Sequence, residues 1–180
     1  MREWVKADRA PGVRVAGDSG DRRVASAVPE TWLRDAVTER LPMLLATARA
    51  LMSQEADARD LTQHTAEIAL RRGGTLRDPA AITAWLLTIQ AREAFRLRVR
   101  LRRWVAIGRV SLPSVPGPDP EALAIRTALQ SLPPRMRVAV VLHHMAGLPV
   151  ADVALALGVS QNTVKTQLRL GLARLREELR

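Results

Sequence analysis

From Thr31 onward, apolar residues recur every three or four positions along the chain, as they do on one face of an α-helix. The first helical segment runs to about Met52, and we expect Pro42 within it to divide it into two helices or to bend one. The second segment runs from about Gln54 to Arg72, with Ser53 as its predicted N-cap. The pattern therefore predicts helices in this part of the chain.

A third helix is predicted from Asp78 and Pro79, because proline suits the first helical turn. The pattern continues for about 25 residues to Trp104 and changes midway from apolar to basic. Arginine alternates with apolar residues at 97–101, which would also suit a strand. The length of the segment and the lack of a partner strand favour a helix.

The stretch from Gly108 to Pro120 interrupts the helical pattern. Its four prolines forbid a continuous helix and favour an extended connector. Beyond it, helices are predicted at 121–132 and 135–145, on either side of Pro133 and Pro134. Residues 1–27 show no sustained periodicity, and we expect a flexible leader there. The pattern thus predicts an all-α fold with two small helical domains, 28–107 and 121–180, joined by a proline-rich linker at 108–120.

The last segment, Val150 to Arg180, has the spacing of a helix-turn-helix followed by a long basic helix. Ala154 is small where the two helices would touch, Gly158 suits the turn, and Ser160 suits the N-cap of the second helix. Apolar residues at 153, 157, 159, 164 and 168 supply the remaining core positions. A plain helical hairpin shares the glycine and the apolar spacing, but the small residue, the cap and a polar face in register favour a helix-turn-helix.

The open face of the second helix carries groups that hydrogen-bond base edges and phosphates. These candidate DNA-binding residues are Gln161, Asn162, Thr163, Lys165, Thr166, Gln167 and Arg169.

Composition supports a polyanionic partner. The chain has 28 lysines and arginines against 18 acidic residues, for a formal net charge of +10. Such a balance favours nucleic acid or an acidic membrane surface. Seven arginines and one acid, Glu93, lie between residues 92 and 109. Three readings of this stretch stay open: a solvated charged face, a phosphate-binding face and a membrane-surface helix. The arginines are Arg92, Arg96, Arg98, Arg100, Arg102, Arg103 and Arg109.

Other chemistry has little support in the sequence. The absence of cysteine excludes disulfides, thiolate zinc sites and cysteine catalysis. Adjacent histidines at 143 and 144 point about 100° apart on a helix and do not easily share an ion. Asp57 and Asp60 share a helical face but lack the third acid of a metal-dependent nuclease site. No apolar run of about 18 residues or signal-peptide core is present, so we expect a cytoplasmic protein without a membrane span. No cofactor is expected either.

Several motifs resemble the bacterial sigma-70 family. Leu132-Pro133, the following basic helix, and the helix-turn-helix motif from Asp152 to Lys165 are similar to region 4 of that family. The segments EADARDLTQHTAEIALRR and AWLLTIQAREAFRLRVRLRRW resemble region 2 more loosely. With a short proline-rich linker and nothing else between the two regions, the layout is similar to the extracytoplasmic-function class. The resemblance covers about residues 31–180.

The resemblance implies an RNA polymerase sigma factor, which binds core polymerase, directs initiation at promoter DNA and is not an enzyme. It implies that the 161–169 face reads the minus-35 element. It implies that Arg92, Glu93 and the arginines from Arg96 to Arg103 face the minus-10 element. Members of the class are commonly held by an anti-sigma factor. The residues that it implies for polymerase binding are Asp57, Asp60, Gln63 and His64.

The chain departs from the family pattern at four positions and in its aromatic content. His64 stands in place of a usual acid, Glu93 in place of the usual asparagine, Arg96 close to a usual aspartate, and Ile68 near a usual aromatic residue. Few aromatic residues are available to hold flipped bases. The loop 72–78, in the place of a base-holding loop, equally fits a plain helix stop. Two alternatives stay open: a sigma-like DNA-binding regulator that does not melt promoters, and a metal-dependent DNA enzyme.

Overall fold

The computed structural model describes residues 29–106 and 120–180, with side chains described for 29–97, 121 and 123–180. The predicted leader at 1–27 and residues 108–119 of the predicted linker lie outside this range. All the regular structure within it is helical, which confirms the all-α prediction. The α-helices are α1 (Glu30–Leu51), α2 (Glu55–Arg71), α3 (Ile82–Ala106), α4 (Pro120–Ser131), α5 (Pro134–Val140), α6 (Val150–Leu157) and α7 (Gln161–Glu178).

The first half consists of α1, α2 and α3 with two short 3₁₀ turns, Gly73–Thr75 and Pro79–Ala81, between α2 and α3. The α1 helix runs through Pro42 without interruption, so the predicted division at that residue does not occur. The prediction of Ser53 as the N-cap of α2 is wrong. Gln54 occupies the N-cap position and makes no side-chain capping bond. An ion pair from Arg49 to Glu55 joins the end of α1 to the start of α2 instead, at 2.7 Å.

The second half consists of α4 to α7, and α5 continues into a π-helical turn at Val141–Met145. His143 Nδ1 donates to the Leu148 carbonyl at 2.7 Å and closes the loop that leads into α6. Gly147, with φ at +72°, takes the left-handed conformation that this loop requires.

The buried apolar residues of the two halves form one continuous cluster. Helix α3 packs against α6, and the C-terminal part of α1 packs against α4 and the π-helical turn. Leu51, Leu132 and Leu142 lie in this shared core with at most 2% of their surface exposed. The faces of α2, α3 and α7 that look away from the core therefore remain for binding.

Candidate nucleic-acid interface and acidic groove

The helix-turn-helix has the local geometry that its residues predict. Gly158 takes φ +65° and ψ +37° and ends α6. The Ser160 side chain accepts a hydrogen bond from the backbone N–H of Thr163 at 3.1 Å, which caps α7. Ala154, Val153 and the α7 residue Val164 are buried between the two helices. The turn is therefore fixed by a glycine conformation, a side-chain cap and a small apolar core.

The outer face of α7 presents the predicted DNA-binding set. Six of the seven side chains are exposed, at positions 161, 162, 163, 165, 166 and 169. Gln167 is the exception, because it is half-buried and its Oε1 is enclosed with no hydrogen-bond partner among the described residues. Leu168 and Gly171 lie on the opposite, buried face. The structure thus brings together a polar strip on an anchored helix, as major-groove recognition requires.

Gly171 sets how closely α7 approaches α5. A Cβ added there would lie 2.7 Å from Val140 Cγ2 and 3.0 Å from Met136 Cγ. Only a residue without a side chain leaves room for this contact. The orientation of the recognition face relative to the rest of the fold therefore depends on a glycine that the sequence motif does not mark as special.

A cationic surface separate from the α7 face lies where the end of α2 approaches α3. Burial lowers the pKa of Arg92, and the nearby charges of Arg96 and Arg72 lower it further. Arg92 forms no hydrogen bond or ion pair with any described residue. Three guanidinium groups thus share one surface, which favours an anionic ligand. The side chains of Arg98, Arg100, Arg102 and Arg103 lie outside the described set, although the backbone of α3 continues to Ala106.

Glu93 is joined to that cationic surface through Arg96. Its side chain is only 9% exposed and accepts a hydrogen bond from Arg96 Nη1 at 2.7 Å. Its other oxygen lies 3.6 Å from His64 Nε2 on α2. Glu93 therefore belongs geometrically to the contact between α2 and α3.

That contact forms a groove lined mainly by acidic residues, the acidic groove. It contains the four residues that the resemblance implies for polymerase binding, together with three from α3 and one more from α2. The lining residues are Asp57, Asp60, Gln63, His64, Glu67, Glu93, Arg96 and Leu97. Sequence reasoning missed Glu67 and Leu97. Glu67 lies one turn beyond Gln63 and His64, a helical spacing that could have indicated it.

The electrostatics of the acidic groove favour a cationic partner. Four carboxylates face one guanidinium there, in a chain whose formal net charge is +10. Burial raises the pKa of Asp57, and the charge of Asp60 raises it further. Neither aspartate forms a hydrogen bond or ion pair with a described residue. A positive group from a partner would relieve this repulsion.

The described residues include neither a candidate metal site nor a membrane-spanning helix. They contain no group of three or more histidine and acidic side chains that could hold a metal ion. None of the helices in these ranges combines the length and apolar character that crossing a bilayer requires.

Comparison with known proteins gives the class of the chain. Residues 36–105 match the family described as Sigma-70 region 2, and residues 122–175 match Sigma-70, region 4. The RNA polymerase sigma-E factor of Streptomyces coelicolor is 32% identical over 148 residues, covering 79% of this chain and 83% of that protein. The ECF RNA polymerase sigma factor SigE of Mycolicibacterium smegmatis is 30% identical over 195 residues, covering 98% and 71%.

Solved structures agree with these matches. The sigma factor RpoE of Bartonella quintana, determined in complex with the anti-sigma factor NepR, superposes with a TM-score of 0.73 at 27% identity. The alignment covers 81% of this chain and 95% of that one. CnrH, in complex with the cytosolic domain of CnrY, has the same fold with a TM-score of 0.65. The chain belongs to the sigma-70 family of RNA polymerase sigma factors, in the extracytoplasmic-function class.

Proposed function

We propose that this sigma factor docks on core RNA polymerase through the acidic groove and reads promoter DNA through two surfaces. The exposed face of α7 reads the minus-35 element, and the arginine-rich part of α3 contacts the minus-10 element. The observation that carries this proposal is the capped helix-turn-helix with six exposed polar side chains in register. The chain acts by binding and positioning polymerase, in the cytoplasm where polymerase and chromosome meet.

Polymerase docking is supported by the charge of the acidic groove. A basic chain gains little from a separate acidic surface when it binds DNA, since phosphates repel carboxylates. A protein surface that carries lysine or arginine would be attracted to the same carboxylates. Asp57 and Asp60 are available to such a partner, because neither carboxylate forms an ion pair with a described residue.

We assign Glu93 and Arg96 to this docking surface in preference to the minus-10 surface. Glu93 is nearly buried and held by Arg96 at 2.7 Å, so it cannot reach a DNA base without breaking that pair. Its proximity to His64, at 3.6 Å, joins α3 to the polymerase-facing side of α2. Arg92, which has no acidic partner among the described residues, stays with the minus-10 surface together with the arginines from Arg98 to Arg103.

Promoter-specific run-off transcription with purified chain and core polymerase tests the proposed function. We expect a discrete transcript from a cognate promoter and none from core polymerase alone. Asp60→Asn should reduce core binding, and Asp35→Asn, an exposed change on α1, should leave it unchanged. A chain that binds promoter fragments but gives no transcript and no core complex would refute the proposal.

A second candidate, a sigma-like regulator that does not melt DNA, is favoured by one observation. Trp32, Trp85 and Phe95 are partly buried and packed against the core, so they are not free to stack on flipped bases. The two candidates differ in the reactivity of promoter thymines toward permanganate. Enhanced reactivity near the minus-10 element in the polymerase complex supports the sigma factor, and its absence supports the regulator.

Regulation by an anti-sigma factor is part of the proposal. Such a partner would cover the acidic groove or the α7 face and compete with polymerase or DNA. Affinity capture with the full chain, followed by competition with core polymerase, tests this point. A captured protein that leaves core binding unchanged would argue against it.

A further inference from the structure

Leu170 is a large apolar side chain on the exposed face of α7. It is 41% exposed, although it lies between the exposed Arg169 and the buried Gly171 along the helix. The buried face of α7 consists of Val164, Leu168 and Gly171, so Leu170 does not belong to the core. An apolar group in this position leaves water only when a ligand of α7 covers it.

Leu170 is in register with two threonines on the same face of the helix. Thr163 and Thr166 precede it by seven and four residues, and side chains at this spacing line up along one side of an α-helix. All three side chains are exposed. The hydroxyl of Thr163 lies 2.9 Å from Ser160 Oγ, which engages its polar end within the protein. Thr163, Thr166 and Leu170 thus form a row of methyl-bearing side chains, the methyl row.

A row with different chemistry runs beside the methyl row. Asn162, Lys165 and Arg169 are exposed and have the same spacing, each placed one residue earlier in the chain. One residue is a rotation of about 100° around the helix axis, so the two rows lie side by side. Each extends over about 10 Å, roughly the rise of three base pairs. The α7 helix therefore presents hydrogen-bonding groups along one edge and methyl groups along the other.

The major groove of DNA presents the same two kinds of group. Adenine offers a donor and an acceptor to an amide such as that of Asn162, and thymine offers its C5-methyl group to apolar contacts. Cytosine lacks that methyl group and presents an amino donor. The two bases of a pair stand next to each other in the groove, so a helix that sets Asn162 against one strand brings the methyl row toward the other. A methyl row in this place favours thymine over cytosine.

We propose that Leu170, together with Thr166, determines specificity by contacting the C5-methyl group of a thymine in the element that α7 reads. This inference rests on the proposed minus-35 reading by α7 and adds the identity of a base to it. DNA is favoured over a protein as the occupant because the neighbouring cations of Lys165 and Arg169 form no ion pair with a described residue. Phosphates next to the contacted bases supply the opposite charge.

Replacement of thymine by deoxyuridine tests the proposal, because it removes the methyl group and keeps the hydrogen bonds of the base pair. Promoter fragments are first selected from a random pool with the full chain bound to core polymerase. Each thymine in the minus-35 element of the enriched fragment is then replaced in turn. We expect at least one replacement to weaken binding of the wild-type complex about fourfold, the effect of one buried methyl group.

Leu170→Ala removes the proposed partner of that methyl group. It should weaken binding to the thymine fragment by at least the same factor and should abolish the response to the deoxyuridine replacement, since both changes remove one contact. Leu179→Ala is the matched control, because it makes the same change at a leucine that is 49% exposed at the end of α7 and outside the methyl row. This variant should keep the fourfold response. Equal helix content by circular dichroism establishes that both variants are folded.

Four results would overturn the proposal. They are an enriched element without thymine, no deoxyuridine response in the wild-type complex, a response that Leu170→Ala retains in full, and a loss of core binding in Leu170→Ala that is equal on every fragment. The last result would assign Leu170 to a protein contact. Run-off transcription from the selected fragment is measured in parallel. A transcript combined with any of these results refutes this inference alone, whereas the absence of both transcript and enriched fragment refutes the proposed function and this inference with it.

Discussion

Gln90 of α3 accepts a hydrogen bond from the Thr47 hydroxyl of α1, and both side chains are buried at the centre of the first half. Gln90 Nε2 also donates to the Leu44 carbonyl at 2.8 Å. The Thr47 hydroxyl oxygen also lies 3.1 Å from the Met43 carbonyl and 3.0 Å from the Leu44 carbonyl of its own helix, so its one hydrogen is shared among three acceptors. This polar network fixes the register of α3 against α1, and with it the positions of the acidic groove and the arginine-rich surface.

Changing Gln90 should separate the cost of a lost hydrogen bond from that of a buried charge. Gln90→Leu keeps the volume and should lower the free energy of unfolding by about 1–2 kcal/mol. Gln90→Glu places a carboxylate against the Leu44 carbonyl and should cost about 3 kcal/mol. Urea denaturation measures both. Gln161→Glu makes the same change at an exposed position and should alter the free energy of unfolding by no more than about 0.5 kcal/mol. Equal effects of all three changes would show that the buried network does not stabilise the fold.

Gly171→Ala should destabilise the second half although alanine favours helices. The intrinsic gain is about 1 kcal/mol. The added methyl group would clash with Val140 and Met136, and we expect a net loss of about 1–2 kcal/mol. Combining it with Val140→Ala should cost less than the sum of the two single changes, because the clash is relieved. Strictly additive losses in thermal unfolding would show that the contact is not tight.

The Arg49–Glu55 pair should give the chain a pH-dependent stability. The hydrogen bond from Arg49 holds the pKa of Glu55 below its usual value of 4.5. A lowered carboxyl pKa adds stability that is present above the usual pKa and is lost as the pH falls through the folded value. Glu55→Gln should therefore cost about 0.5–1 kcal/mol at pH 7, and the difference from wild type should shrink below about pH 4.5. Denaturation from pH 3 to 7 measures it.

A control for that experiment is Glu30→Gln, which removes an ion pair on the exposed side of α1, with Arg34 65% and Glu30 76% exposed. Its effect on stability should be smaller at every pH. If Glu30→Gln and Glu55→Gln gave the same pH profile, the junction between α1 and α2 would not depend on the pair.

Asp57→Asn should stabilise the free protein and weaken polymerase binding. The pKa of Asp57 is raised by burial and then by Asp60. A raised carboxyl pKa means stability that is full at low pH and falls as the pH rises through the folded value. Removing the charge should therefore raise the free energy of unfolding at pH 7, by at most about 0.5 kcal/mol since the group is only partly buried and solvent screens its charge. Thermal unfolding and core-binding titrations measure the two effects, and a loss in both would contradict the reasoning.

The two DNA surfaces should respond differently to substitution. Arg92→Gln should weaken binding to all sequences alike, because it removes a phosphate contact. The slope of log K against log salt concentration should become shallower by about one. Gln161→Ala or Lys165→Ala should change the preferred minus-35 sequence. Titrations of the polymerase complex on promoter variants at several salt concentrations measure both. Equal losses on every sequence from both kinds of change would refute the division of roles.

The helix-turn-helix was predictable in detail from the local pattern of residues. Gly158 takes the left-handed conformation, Ser160 caps α7, and Val153, Val164 and Leu168 are buried. Each of these features depends on contacts within a few residues along the chain, so local chemistry is sufficient to predict it. The all-α class and the third helix follow from the same local pattern.

Which charged residues face each other depends on helix packing and could not be predicted from the pattern along the chain. Along the chain Glu93 stands among arginines, whereas in the fold its nearest partner outside α3 is His64, nearly thirty residues earlier. The cap of Gln130 and Arg137 on α1 spans about 80 residues and leaves no periodic signal. Side chains that bond across helices obey packing geometry and not sequence spacing. Local patterning thus predicted a helix-turn-helix and an arginine-rich helix, whereas tertiary packing placed the acidic groove between α2 and α3 and joined the two halves through Gln130 and Arg137.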